Sequence, residues 1–126
     1  MDLDAEFKSS LDLLIFQTQQ ISLHVQNIQY YEREVRVAVD NLEAAKRRLR
    51  SAKAPEKIAA QNSVDDWTRK HVYFEGMLLH SKNSLQVSTI NCDATYRGHI
   101  YLHGARSAAS LPNAVMPVIQ QPPNNQ

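Results

Sequence analysis

The chain has 126 residues and a net charge of +1, with three glycines and a single cysteine. That length fits one domain, or one domain and a tail, and so few glycines argue against a loop-rich sandwich. One cysteine excludes an internal disulfide, and the near-neutral total excludes a uniformly basic nucleic-acid-binding domain.

The N-terminal residues Asp2, Asp4 and Glu6 stand where a secretory leader would be basic. The start at Met1 therefore predicts a complete small chain without a leader. Compartment is expected to be reducing and intracellular (cytoplasmic or nuclear), or within a virion. Residues 13–31 carry no formal charge, but they hold five glutamines, an asparagine and a histidine. That composition is too polar for the bilayer core, so no membrane span is expected.

Charge is distributed unevenly along the chain. Residues 1–45 carry eight acids and three bases, whereas residues 46–57 carry six bases and one acid. The first element explains both ends. Phe7, Leu14, Ile21, Ile28, Val35, Leu42 and Leu49 recur every seven residues, interleaved with Leu11, Thr18, Val25, Glu32, Val39 and Lys46. This alternation of steps of four and three predicts a helix over about residues 4–53 with a coiled-coil seam. Acids at its start and bases at its end both complement the helix dipole.

A second apolar stripe occupies the opposite face. Phe16, Leu23, Tyr30, Val37 and Ala44 also recur every seven residues. A helix apolar on two faces is normally covered on both. One face is expected to meet the second helix of the chain, and the other a further partner. The predicted oligomer interface is therefore Ile21, Ile28, Val35 and Leu42 on the first seam, with Phe16, Leu23, Tyr30 and Val37 on the second.

Pro55 ends the first helix and opens a turn over about residues 52–56. Ala60, Val64, Trp67, His71, Phe74, Leu78, Ser81 and Leu85 resume the four-and-three spacing. They predict a second helix over about residues 55–90, with Trp67 and Phe74 packed on the first. A short connection between two such helices makes an antiparallel hairpin. Gly76 lies inside this helix, where it costs about 1 kcal/mol against alanine and leaves room for another chain.

Beyond Ser84 the pattern weakens. Leu85, Val87 and Thr89 alternate as in a strand, and a helix continuing to about Arg97, before Gly98, would better match the first in length; irregular structure is expected after about Ile90. The division expected is a helical hairpin over residues 1–92 and an irregular, Pro-rich arm over 93–126. Prolines 112, 117, 122 and 123 exclude a regular helix at the end of the arm. Leu111, Val115, Met116, Val118 and Ile119 make it apolar enough to dock on a neighbouring subunit.

Chemical motifs are sparse. Cys92, His99 and His103, with His80, supply zinc-type ligands but lack the close cysteine pair of structural zinc sites. No phosphate-binding glycine loop, HExxH or nucleophile elbow occurs. No catalytic residue, metal or cofactor is expected. The cluster Lys46, Arg47, Arg48, Arg50 and Lys53, followed by Lys57, is a candidate nucleic-acid or anion contact. Alternatively, Arg47 and Arg50 pair with acidic N-terminal residues of another chain.

The fold expected is all-α: a long antiparallel helical hairpin of coiled-coil type with an irregular C-terminal arm. The function expected is a non-enzymatic structural or assembly protein, homo-oligomeric, of a kind found among viral and phage structural subunits. The alternatives are an adaptor in a complex with other coiled-coil proteins, or a nucleic-acid-associated protein using the basic tip.

Overall fold

The computed structural model describes residues 2–109. Two helices account for nearly all of them: α1, Leu3–Ser51, and α2, Lys57–Ala109, joined by a single 3-10 turn over Ala54–Glu56. They pack against each other as an all-α hairpin, and no strand occurs among the described residues.

Local chemistry sets the helix ends. The Asp2 carboxylate caps α1, accepting hydrogen bonds from the backbone N–H groups of Asp4 (3.0 Å) and Ala5 (3.2 Å). At the other end the Ser51 hydroxyl donates to the carbonyls of Arg47 and Arg48, one turn back. Lys53 adopts an extended conformation (φ −86°, ψ 164°), and Pro55 then falls in the first turn of the 3-10 segment, where its missing N–H costs nothing.

The chain divides into two compact units, one comprising Met1–Ser22 and Gln86–Gln126 and the other Leu23–Leu85. The second unit contains the turn. In it, the inward residues of α1 are Ile28, Tyr31, Val35, Ala38, Leu42, Ala45 and Leu49; those of α2 are Ala60, Val64, Trp67, His71, Phe74, Leu78 and Ser81. Tyr31 meets Phe74 with ring centroids 6.3 Å apart, and Arg48 donates to Ser63 at 3.5 Å. Ala38 and Ala45 are fully buried. Alanine at both positions removes bulk where the helices approach.

The unit formed by the chain's first residues and the end of α2 has a more polar seam. Phe7, Ser10, Leu14, Gln17 and Ile21 of α1 turn inward, as do Ser88, Cys92, Thr95, His99, Leu102 and Ala105 of α2. The His99 ring stacks on Phe7 at 4.5 Å and its Nδ1 lies 3.1 Å from the Ser10 hydroxyl. Arg106 donates to the Asp4 carboxylate at 2.6 Å and lies over the Phe7 ring at 4.6 Å.

Two expectations are corrected. First, α2 does not give way to irregular structure after Ile90 but continues to Ala109. Its inward face keeps the helical spacing through Ser88, Cys92, Thr95, His99 and Leu102. These residues are mostly polar, so hydrophobic periodicity fades while the helix does not. The remainder of the segment expected as an arm, after Ala109, lies outside the described residues. Second, the seam of α1 pairs the Phe7-to-Leu49 series with the residues three positions on, not four. Leu11, Val25 and Val39 stay exposed, while Ala38 and Ala45 are buried in their stead. Small side chains let the helices close on that flank, and the larger aliphatics are left outside.

Candidate protein–protein interface

Helix α1 places its predicted interface residues in two different environments. Ile21, Ile28, Val35 and Leu42 are half-buried on the inward face of the hairpin, at the spacing shared with Tyr31 and Ala38. Ile21 lines a groove with Cys92 and Thr89 of α2. These four side chains are therefore engaged chiefly by the chain's own second helix.

Phe16, Leu23, Tyr30 and Val37 face outward. Each exposes about half of its surface: 56%, 50%, 47% and 48%. Single exposed aliphatics are ordinary on protein surfaces. Leu23, Tyr30 and Val37, all in the unit Leu23–Leu85, recur at seven-residue spacing and make an apolar line along the helix. Within the unit Leu23–Leu85 this line is joined to α2 by rings. Tyr30 packs edge-on against Tyr31 at 5.1 Å, Tyr31 meets Phe74, and Phe74 packs edge-on against Tyr73 at 5.2 Å. The two inner rings lie on the seam, and Tyr30 and Tyr73 carry the apolar surface outward on both helices.

Helix α2 also presents apolar side chains to solvent. Ile58, Val72 and Leu79 are 77%, 66% and 61% exposed. Gly76 sits among them, and a Cβ built on it meets nothing within 4 Å. No contact among the described residues therefore requires glycine there. Gly76 stands out in the sequence, whereas Ile58, Val72, Tyr73 and Leu79 do not. Their spacing is a usable signal, but the inward stripe on the same helix masks it.

The basic cluster is fully displayed at the turn. Lys46, Arg47, Arg48, Arg50 and Lys53 are all exposed, and none forms an ion pair among the described residues. Arg48 bonds Ser63, and a shallow concavity beside it is lined by Ser51, Pro55 and Ser63. The cationic partner of Asp4 is Arg106, not a residue of the basic cluster. Elsewhere, exposed charges pair along single helices, Arg69 with Asp66 and Arg97 with Asp93, and the His71 ring lies in hydrogen-bond reach of Glu75 at 3.2 Å.

Cys92, His99, His103 and His80 do not converge. Cys92 and His99 share a face but lie two turns apart, about 10 Å along the axis. No group of three potential ligands capable of holding a metal occurs among the described residues. His99 and His103 instead pack around Phe7, with ring centroids 4.5 and 6.0 Å away. No helix of the described residues is long and apolar enough to cross a membrane. The chain matches no family model, no curated protein and no solved structure.

Proposed function

We propose that the chain is a non-enzymatic assembly subunit that self-associates through the outward apolar line of α1, Leu23, Tyr30 and Val37. The observation that carries this reading is their exposure after the hairpin has formed. The intrachain seam is already made, by other residues, and the line stays about half exposed among the described residues. Burying apolar surface is worth roughly 25 cal/mol per Å², so several half-exposed large side chains supply the driving force for a contact. The assembly role is of the kind served by structural subunits, including those of viruses and phages.

The test is the mass of the purified full-length chain by light scattering, across a range of concentrations. An oligomer whose mass falls to that of the monomer on changing both Leu23→Glu and Val37→Glu, with helical circular dichroism retained, supports the reading. A wild-type monomer at every concentration overturns it. A chain that is insoluble alone and recovered with a partner chain would instead identify an adaptor in a hetero-oligomer.

The cations at the turn, which form no ion pair among the described residues, favour a second reading, contact with nucleic acid phosphates. Such binding would weaken steeply between about 50 and 200 mM salt, because each phosphate contact releases counterions. Binding to duplex or single-stranded probes that is absent at low salt excludes it.

A further inference from the structure

The unit formed by the two chain ends carries a groove of about 780 Å³ between the start of α1 and the end of α2. Leu3 and Leu13 on one side and Tyr101, Leu102 and Ala105 on the other make its walls mostly apolar, Glu6, Ser9, Ser10 and Thr95 also line it, and Gly98 forms part of its floor. A Cβ built on Gly98 meets nothing within 4 Å, so the absence of a side chain there leaves space that the chain's own helices do not use. Leu13 remains 46% exposed.

We infer that this groove is the docking site for the chain's own C-terminal segment, Val115–Ile119, folded back along α2. Three observations select this occupant. Ala109, the last described residue, is one turn beyond Ala105 at the groove's end, and Val115 follows it by only six residues. The segment is chemically matched: Val115, Met116, Pro117, Val118 and Ile119 carry no charge, and no charged residue follows Arg106. The intervening sequence, Leu111-Pro112-Asn113-Ala114, offers adjacent proline and asparagine, the residue types that favour the central positions of a chain-reversing β-turn. The lengths agree as well. Five extended residues span about 16 Å, and the groove wall from Thr95 to Ala105 spans about 15 Å of helix. Pro117 lacks an N–H, which suits an extended segment held by side-chain packing rather than by a hydrogen-bonded ladder. A tether of so few residues holds the segment at an effective concentration near the millimolar range, which favours the chain's own groove over a neighbour's.

Disulfide trapping in the full-length chain tests this. In a Cys92→Ser background, Gly98→Cys places a thiol in the groove floor, and Arg97→Cys places one on the next residue, outside the groove. Each is combined in turn with Val115→Cys, Met116→Cys and Val118→Cys, then oxidised in dilute solution by oxygen with copper phenanthroline. Docking predicts that at least one Gly98→Cys pair closes within the monomer roughly tenfold or more faster than its Arg97→Cys counterpart, because the docked segment has a raised effective concentration. Equal rates at the two positions, or no closure at either, overturn the inference. Covalent dimers from Gly98→Cys overturn it too, by showing that the segment occupies a neighbour's groove. Far-ultraviolet circular dichroism identifies any variant that has lost its helices, and the three cysteine positions in the segment keep one unfolded variant from deciding the outcome.

Discussion

Gln17 turns inward from α1, and its side-chain oxygen is shielded from water without a hydrogen-bond donor. An acceptor desolvated without a partner costs roughly 1–3 kcal/mol. Gln17→Met keeps a flexible side chain of similar length and removes the polar atoms. Stability should rise by about 1 kcal/mol, read as a higher urea midpoint at one fixed protein concentration. An unchanged or lower midpoint would mean that the amide is satisfied in solution. Gly76 offers a second single-residue test. It is helical, and a Cβ there meets open space. Gly76→Ala should therefore gain about 1 kcal/mol of helix propensity with no clash. Loss of stability would show that another chain sits against that position.

At the scale of helices, the register of α1 is the feature that decides which face is core. Ala38 is fully buried and Val39 is 38% exposed, although valine is the more hydrophobic of the two. Placing glutamate at each position separates the registers. Ala38→Glu buries a long charged side chain in a closed seam and should cost roughly 3 kcal/mol or more. Val39→Glu points toward solvent and should cost about 1 kcal/mol or less. Thermal or urea unfolding of the two variants reads the difference directly, and the reverse order would restore the register expected from the larger aliphatics.

The same residues show how far a sequence carries. Two helices, a corner at Pro55, and the inward series from Phe7 to Leu49 and from Ala60 to Leu85 were legible, because apolar spacing and a proline mark them. The flank of the α1 seam was not. Leu11, Val25 and Val39 are apolar on one side of the series and Tyr31, Ala38 and Ala45 on the other, and hydropathy ranks the wrong set first. The closeness of two backbones, which rewards alanine, is a tertiary quantity. The last part of α2 was illegible for a different reason: Ser88, Cys92, Thr95 and His99 hold helical spacing without hydrophobicity, and their partners on α1, such as Ser10, are polar in turn. Of the candidate interface, the Leu23–Tyr30–Val37 line was visible from its period, whereas the bridge of rings to Tyr73 needed the pairing of Tyr31 with Phe74.

For the whole molecule, the question is whether folding and association are one equilibrium. The described residues bury only three hydrophobic residues, all alanines, and no large side chain is fully enclosed. A chain of this size that keeps Leu23, Tyr30, Val37, Val72 and Leu79 in water has foregone much of the apolar burial that stabilises domains of similar length. Covering those faces with further copies would recover it, and stability would then depend on protein concentration by mass action. The melting temperature should rise by about 5 °C for each tenfold increase in concentration if unfolding and dissociation are concerted. With Leu23→Glu and Val37→Glu together the dependence should vanish, and the melting temperature should settle at or below the value that the wild type approaches on dilution. A wild-type melting temperature independent of concentration over two decades, at any value, would mean that the hairpin holds itself together and that its outward apolar lines serve a partner other than itself.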